Sequence, residues 1–286
     1  MRRTTISKVN DAGKLRNKNR NYTTLLVEKD GPVDWLILNR PDALNSLSRR
    51  LVAELHHYFD SLQSHYAVRV VVMRGAGRMF CAGLDMKDPE RKPSRNAEEG
   101  MMSQRSFSGL VMKMRRAPQP IIGLLHGYAA GGGFSIALGC DVRIAAEGTK
   151  MNCAFIKIGL SGCEMGSSYH LPRLIGTSNA AELLYTGRFI DAARALRLGL
   201  VSDVVPEADL IAVGRALADD MVATAPLGLR LTKEAFWANV DSQSLDTAIA
   251  MEDRNQILTV ANGDLDEGIA AFLEKRKPQW GKSGAE

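Results

Sequence analysis

Three consecutive glycines at positions 131–133 separate an apolar run, residues 121–125, from an apolar stretch with helical character. Because glycine has no Cβ, a ligand or a second segment of backbone can approach the main chain closely there. The first turn of a helix also presents free N–H groups at the positive end of the helix dipole, which favours a developing negative charge. The chemistry that this segment could support is therefore stabilisation of an anion by main-chain N–H groups.

Other glycine motifs do not fit the same segment. The glycines at 127 and 131–133 lack the GxGxxG spacing of a dinucleotide-binding turn, and no GK[ST] of a phosphate-binding loop follows them. Residues 133–137, GFSIA, miss the GxSxG pattern of a nucleophilic serine at its last position. On this segment alone, a purely structural role for the glycines stays open.

A second glycine-rich turn, FCAGLD, follows a β-branched strand within residues 68–87. It belongs to a set of motifs in one order along the chain: LNRPDALNSL (38–47), FCAGLDMKD (80–88), HGYAAGGG (126–133), LPRLIG (171–176), TGRFIDAARALRLGLVSDVVP (186–206) and FLEKRKPQW (272–280). On these motifs the chain resembles the enoyl-CoA hydratase/isomerase (crotonase) family over nearly all of residues 22–280. The resemblance implies an α/β fold, a spiral of ββα turns, with a C-terminal helical region that mediates trimerisation. In the family two trimers commonly stack into a hexamer.

The resemblance also implies an acyl-CoA thioester as the ligand. In the family, two backbone N–H groups bind the thioester carbonyl oxygen, and matching the motifs assigns these donors to Leu84 and Gly132. Residues expected to contact the adenine and pantetheine of coenzyme A are Asp42, Ala43, Leu44, Ala82, Gly83, Asp85 and Met86. Candidate phosphate or adenine partners are Arg40, Lys87, Phe272 and Lys275, the last two from a motif that a neighbouring subunit often supplies.

The acid–base positions depart from the family pattern. Hydratases carry two glutamates, one shortly after the GGG turn and one about twenty residues later. Counting along this chain places Ser135 and Phe155 at these positions, and neither side chain can act as a general base at neutral pH. Hydration by the two-glutamate route is therefore not expected, and Ser135, Phe155 and Met165 are assigned to the acyl pocket.

One candidate carboxylate remains, Glu164, in a glycine-rich loop after a segment expected to be an apolar strand. Some isomerases of the family carry an acidic residue near this position, and one carboxylate can take a proton from one carbon and return it to another. The structural alternative is a glutamate that caps the loop or pairs with Arg173. Three functions stay open: an isomerase-like enzyme, an acyl-CoA-binding protein without turnover, and an atypical hydratase or thioesterase that uses Glu164, Ser135 or ordered water.

Composition and charge limit the domain organisation and the classes of partner that are expected. The chain has 286 residues, of which 45% are hydrophobic, enough for one large core with an appendage. Its net charge of +5 comes from residues 1–20, which hold seven basic residues against one acidic residue. We therefore expect a disordered basic tail (1–21), a spiral core with the acyl-CoA site (22–205) and a helical oligomerisation region (206–286), with no nucleic-acid partner.

Cysteine usage and hydropathy exclude further classes. The four cysteines form no CxxC pair and no histidine pair has zinc spacing, so we expect no metal site and no cofactor beyond the coenzyme A of the substrate. A reducing, cytoplasmic setting fits this usage. No apolar run reaches the ~20 residues that a membrane span needs.

Periodicity predicts the elements that must position these residues. Strands are expected at 23–29, 33–39, 68–73, 121–125 and 142–145, and helices at 48–63, 107–115 and 133–139. The charged, proline-containing segment 87–105 is expected to be a mobile loop or lid. After Pro206 only helices are expected, at 207–224, 228–239, 244–261 and 263–276.

Overall fold

The computed structural model describes residues 22–280, so the predicted tail at 1–21 lies outside the described residues. Two β-sheets form the core of this part. The strands are β1 (Leu25–Asp30), β2 (Val33–Leu38), β3 (Val70–Gly75), β4 (Ile121–Leu125), β5 (Tyr128–Ala130), β6 (Val142–Ala146), β7 (Lys150–Asn152), β8 (Ile190–Asp191) and β9 (Asp203–Val205). The larger sheet has the order β1-β2-β3-β4-β6-β9, and the smaller has the order β5-β7-β8.

Ten α-helices surround the two sheets in the described residues. They are α1 (Arg49–Leu62), α2 (Ala97–Arg116), α3 (Gly132–Gly139), α4 (Ser167–Ile175), α5 (Thr177–Thr186), α6 (Ala192–Arg197), α7 (Leu210–Val222), α8 (Pro226–Val240), α9 (Leu245–Ala261) and α10 (Asp264–Leu273). Short 3₁₀ helices lie at Pro41–Ala43, Ala154–Ile158 and Glu207–Asp209.

The chain climbs through the two sheets in repeated turns. In one turn it passes from β4 in the large sheet to β5 in the small sheet and then enters α3. The next turn runs through β6 and β7 before α4. An earlier turn follows the same path, because after β3 residue Cys81 forms a parallel bridge with Ala129 of β5 before the chain reaches α2. The predicted spiral of ββα turns is confirmed.

The large sheet is buried on both faces. Side chains alternate along each strand, so Val33 and Trp35 of β2 join a cluster that includes Leu210 of α7. Leu36 and Leu38 of the same strand join the main core, which also holds residues of α1, α2 and α3. Except for the antiparallel β1–β2 hairpin, every strand pair in this sheet is parallel. The carboxyl ends of β3 and β4 therefore lie at the same edge, where both glycine-rich turns begin.

Helix α2 corrects the sequence interpretation of the charged segment. The prediction of a loop over 87–105 is wrong from Ala97 onward, because α2 starts there and is twenty residues long. Asn96 caps its first turn, accepting a hydrogen bond from the Glu99 N–H at 2.9 Å, and Glu98 and Glu99 favour the helix dipole. In the sequence, Asn96 with Glu98 and Glu99 shortly after it is the pattern that could have predicted this helix start.

Four α-helices follow Pro206 in the part of the chain that the structure describes, as predicted, and α8 connects them to the core. The Trp237 indole donates to Asp141 Oδ1 at 2.5 Å, and the Lys233 ammonium lies 2.8 Å from Asp141 Oδ2. Helices α9 and α10 leave large apolar side chains exposed, among them Ile257, Phe272 and Leu273. Trimerisation through this region stays a prediction. Within residues 22–280 no helix combines the length and apolar character needed to cross a bilayer.

Candidate active site

The two glycine-rich turns meet in space. Cys81 N–H donates to Tyr128 O at 3.0 Å, and Ala130 N–H donates back to Cys81 O at 3.0 Å. The contact is close at Gly83, where a Cβ would lie 2.6 Å from Ala130 O and 3.4 Å from Gly132 N. Gly83 also has a φ of +93°, a conformation that favours glycine. Only a residue without a side chain lets the two turns approach this closely.

Leu84 and Gly132 line one cavity, and each has a main-chain N–H group without an acceptor within the described residues. The volume of this cavity is about 430 Å³. Gly132 is the first residue of α3, so its N–H lies at the positive end of that helix. Gly131 before it has a φ of +50°. Two main-chain donors on one cavity wall are suited to bind an oxyanion.

Glu164 lines the same cavity. Its carboxylate accepts a hydrogen bond from Gln104 Nε2 of α2 at 2.8 Å, not from Arg173. The backbone at Glu164 is held on both sides, because its N–H donates to Ser167 Oγ at 3.0 Å and its carbonyl accepts from Ser135 Oγ at 3.2 Å. A strand precedes it, as expected, but this strand is the short β7, Lys150–Asn152, and a 3₁₀ helix, Ala154–Ile158, lies between it and the Glu164 loop.

Two further carboxylates line the cavity, and both are engaged by the protein. Asp85 lies 2.7 Å from the Arg40 guanidinium and accepts the Lys87 N–H at 3.0 Å. Asp88 accepts the backbone N–H of Arg49 at 2.7 Å and that of Glu90 at 3.0 Å. Glu164, whose carboxylate accepts a hydrogen bond from a neutral amide, is therefore the cavity carboxylate best placed to exchange a proton.

The predicted acyl-pocket residues separate into two groups. Phe155 and Met165 are buried and line the cavity, and Met165 has a positive φ of +47° beside Glu164. Ser135 is fully buried on α3 and does not line the cavity, so its assignment to the acyl pocket is corrected. Its hydroxyl supports the Glu164 backbone instead. The cavity wall also includes Leu47, Phe107 and Leu160, which sequence reasoning did not single out.

The two segments expected to contact coenzyme A lie side by side. The 3₁₀ helix Pro41–Ala43 ends at Leu44, whose carbonyl accepts the Ala82 N–H at 3.0 Å. Leu47 N–H then donates to Gly83 O at 2.7 Å, and Asp85 N–H donates to Leu47 O at 3.1 Å. Asp42, Met86 and Lys87 are exposed beside this contact, and Ala43 is half-buried. Coenzyme A binding by these residues stays a prediction.

Arg40 and Asn45 hold this pair of segments together. The Arg40 guanidinium bonds to Asp85 and, at 2.5 Å, to the Ser46 carbonyl, so it is already partnered inside the protein. Asn45 is fully buried with a φ of +54°, and its amide donates to the Ala76 and Met79 carbonyls at 2.7 and 2.9 Å. Sequence reasoning missed Asn45, although its place inside the LNRPDALNSL motif was a signal.

Phe272 and Lys275 lie away from the cavity of their own chain. Phe272 ends the exposed face of α10 with 82% of its side chain accessible, and Lys275 follows the helix with a φ of +53°. Neither residue lines the cavity. A contribution to the site of a neighbouring subunit stays a prediction for both.

Two buried histidines, His170 and His126, have structural roles. Burial next to Arg115, Arg143 and Arg173 lowers the pKa of His170 to about 4, so the ring is neutral at pH 7. Burial also lowers the pKa of His126, whose Nε2 lies 3.0 Å from the Gly77 carbonyl. Neither histidine lines the cavity.

Known proteins of one family resemble this chain. The sequence profile of the family described as enoyl-CoA hydratase/isomerase matches residues 28–283. A protein of Mycobacterium tuberculosis named "Probable enoyl-CoA hydratase" is 34% identical over 260 residues, which cover 89% of this chain and 91% of that protein. The 1,2-epoxyphenylacetyl-CoA isomerase of Escherichia coli is 35% identical over 246 residues, which cover 86% of this chain and 93% of the isomerase.

Solved structures show the same fold. The crystal structure of an enoyl-CoA hydratase from Bacillus anthracis superposes with a TM-score of 0.84 at 34% identity, covering 90% of this chain and 98% of that one. Fold, motifs and profile together define an α/β protein of the crotonase type. The chain belongs to the enoyl-CoA hydratase/isomerase family, whose members act on CoA thioesters.

Proposed function

We propose that this protein moves a proton within an unsaturated acyl-CoA thioester and thereby shifts the position of a double bond. The observation that carries the proposal is the presence, on one cavity, of two unused main-chain donors and the Glu164 carboxylate. The donors suit a thioester oxygen that becomes an enolate oxygen, and the carboxylate suits the proton that must leave the adjacent carbon.

The reaction balances with this set of groups. The Glu164 carboxylate removes a proton from the α-carbon of a β,γ-unsaturated thioester, and the electron pair of that C–H bond enters a dienolate. The N–H groups of Leu84 and Gly132 stabilise the negative charge on its oxygen. Glu164 then returns the proton to the γ-carbon, which leaves an α,β-unsaturated thioester and the original carboxylate. Neither water nor a cofactor is consumed.

The alternatives find less support at the same site. Hydration by two carboxylates would need a second free acid, but Asp85 and Asp88 are held by Arg40 and by backbone amides. Hydrolysis by a serine nucleophile would need an accessible hydroxyl, whereas Ser135 is fully buried and bonded to a carbonyl. The isomerase of Escherichia coli, a relative named for isomerising a CoA thioester, adds support for an isomerisation rather than a hydration or a hydrolysis.

The proposal also covers the oligomeric state and the cellular location of the protein. The exposed apolar side chains of α9 and α10 support a homotrimer or a dimer of trimers, in which Phe272 and Lys275 approach a neighbouring site. The four cysteines are free, and Cys163 is exposed, which supports a reducing, cytoplasmic setting. Coenzyme A enters only as part of the substrate.

The test uses trans-2-, cis-3- and trans-3-enoyl-CoA thioesters in D₂O, with product masses and double-bond positions determined by mass spectrometry and NMR. Isomerisation without addition of water is expected, and deuterium enters the γ-carbon to the extent that the protonated, half-buried Glu164 exchanges with D₂O before it returns the proton. Glu164→Gln should lower kcat by about 10²–10⁴-fold, while affinity for the thioester changes little. Glu98→Gln, which removes an exposed carboxylate from the first turn of α2, is the matched control.

Two results would contradict the proposal. Addition of water to a trans-2-enoyl-CoA with unchanged turnover in Glu164→Gln would establish a hydratase of another mechanism. Binding of the thioesters without any turnover in the unaltered protein would identify a binding protein.

A further inference from the structure

Arg49 presents a cation to the cavity that no carboxylate of the described chain neutralises. It is the first residue of α1, it is half-buried, and it lines the cavity. The hydrogen bond that its guanidinium makes is to Ser103 Oγ of α2, at 3.2 Å. Its Nε is buried and has no acceptor within the described residues. Within residues 22–280 no carboxylate oxygen lies within ion-pair distance of this side chain.

Arg143, an arginine with a structural role, differs from Arg49 in its hydrogen bonds. Arg143 is buried, and its guanidinium donates to the Leu200 and Cys140 carbonyls at 2.8 and 2.6 Å. Buried donors in folded proteins are usually satisfied in this way. Backbone carbonyls thus accept hydrogen bonds from the Arg143 guanidinium. Most N–H groups of the Arg49 guanidinium, in contrast, have no acceptor within the described residues.

The acidic residues around Arg49 are directed elsewhere. Asp88 accepts the backbone N–H of Arg49, not its guanidinium, and Asp85 pairs with Arg40. Glu99 pairs with Arg95, and Glu90 lies on an adjoining surface groove and does not line the cavity. Among the cavity-lining side chains near Arg49 that form no ion pair within residues 22–280, Arg49, Arg91 and Lys92 are cationic, and Asp88 is an anion whose carboxylate accepts two backbone N–H groups.

The cavity has an apolar part and a cationic part. Leu47, Phe155 and Met165 surround the proposed reacting carbons near Gly132. Arg49, Lys92, Ser94 and Ser103 line a different stretch of its wall, which is shared with the surface groove. Of the residues expected to contact coenzyme A, Ala82, Gly83, Asp85 and Met86 line the cavity and 42–44 do not, and none of them lines the groove that Arg49 and Ser103 share with the cavity. We therefore take the space beside Arg49 and Ser103 as the place of the acyl group.

We propose that Arg49 binds a carboxylate at the far end of the acyl chain, so that the preferred substrates are CoA monothioesters of dicarboxylic acids. This inference rests on the proposed function, since it takes the cavity as the acyl site. The planar guanidinium matches a carboxylate with parallel N–H···O bonds, which an ammonium cannot reproduce. Ser103 would move aside or share the carboxylate, because its hydroxyl rotates freely.

The test measures binding by calorimetry with saturated thioesters, which carry no double bond to shift. The dicarboxylic ligands are glutaryl-, adipoyl-, pimeloyl- and suberoyl-CoA, each compared with the methyl ester of its free carboxylate and with free coenzyme A. For the chain length that reaches Arg49, the acid should bind about tenfold or more tightly than its ester, since a charge-assisted hydrogen bond is lost in the ester.

Arg49→Gln should abolish that preference and leave affinity for the methyl esters unchanged. The matched control is Arg50→Gln, the next residue on α1, which is exposed and lies 3.7 Å from Glu54. Arg49→Lys should keep only part of the preference.

The outcomes separate this inference from the proposed function. If the acids and their esters bind the unaltered protein equally at every length, the carboxylate site is refuted while acyl-CoA binding stands. An equal loss of affinity for acids, esters and free coenzyme A in Arg49→Gln would show that Arg49 binds a phosphate of coenzyme A, which also refutes it. Absence of binding by every thioester would overturn both proposals.

Discussion

Replacing Gly83 with alanine should force the two glycine-rich turns apart and remove the oxyanion site. The added Cβ would lie 2.6 Å from Ala130 O and 3.4 Å from Gly132 N. Both contacts are with backbone, so no side chain can rotate out of the way. The nearest donor of the proposed site, the Gly132 N–H, would be displaced or covered by the methyl group.

Gly83→Ala should lower both the folding stability and the catalytic rate. The φ of +93° at Gly83 makes alanine strained by about 1–3 kcal/mol, and the overlap with Ala130 adds about 1–3 kcal/mol. Loss of one oxyanion donor costs about 3–4 kcal/mol of transition-state stabilisation, so kcat should fall by about 10²–10³-fold.

Gly148→Ala is the control for backbone strain. Gly148 has a φ of +79°, but nothing lies within 4 Å of its Cβ position, and it does not line the cavity. This variant should lose stability through strain alone and keep its kcat within about twofold, because no group of the site moves. The assays are urea denaturation for stability and steady-state isomerisation of the best enoyl-CoA substrate at a temperature where both variants are folded.

Activity of Gly83→Ala equal to that of Gly148→Ala would refute the reasoning. The thioester oxygen would then be bound elsewhere, and the close approach of the two turns would serve packing alone. A large loss in both variants would instead show that backbone strain anywhere in the spiral impairs the site.

Three further predictions concern Glu164, the histidine beside α8, and the anchor of α8. Gln104→Leu removes the donor to Glu164 and should lower kcat about tenfold with little change in KM, because the carboxylate loses the hydrogen bond that orients it and the pair is solvent-accessible; an unchanged kcat would argue against positioning by Gln104. The pKa of His170 is about 4 in the folded protein and 6.5 in the unfolded chain. Between pH 4 and pH 6.5 the unfolded state therefore binds more protons than the folded state. Stability to urea should therefore be full above pH 6.5 and fall by at most ~1.4 kcal/mol per unit as pH drops toward 4, with a shallower fall in His170→Gln. Lys233→Met leaves Asp141 without its cation and should cost about 3 kcal/mol in urea denaturation, whereas a neutral result would show that Trp237 alone anchors α8.

The fold could be predicted because its motifs are local and ordered. The apolar runs of β2, β3 and β4 mark strands buried on both faces, and Asn262-Gly263 marks the start of the last helix. The short strands β5, β7 and β8 have two or three residues each, too few for a period of two to be recognised. Their pairing depends on the spiral bringing distant segments together.

The main-chain part of the candidate site was also within reach of the sequence. Leu84 and Gly132 are assigned from motifs that match without gaps, and backbone N–H groups need no particular side chain. Ser135 was placed in the acyl pocket because only its position along the chain was known. Its hydroxyl points to a backbone carbonyl, and the direction of a side chain on a buried helix cannot be derived from spacing.

Gln104 and Arg49 could not be found from the sequence, because each acts across elements that are distant along the chain. Gln104 meets Glu164 over 60 residues, and Arg49 meets Ser103 over 54. Both contacts depend on α2, whose first half was taken for a loop. Once Asn96 starts the helix, Ser103 and Gln104 come to face α1 and the Glu164 loop. The polar part of the cavity therefore depends on the position at which α2 begins. Variants that weaken the Asn96 cap should alter substrate preference before they alter the oxyanion site.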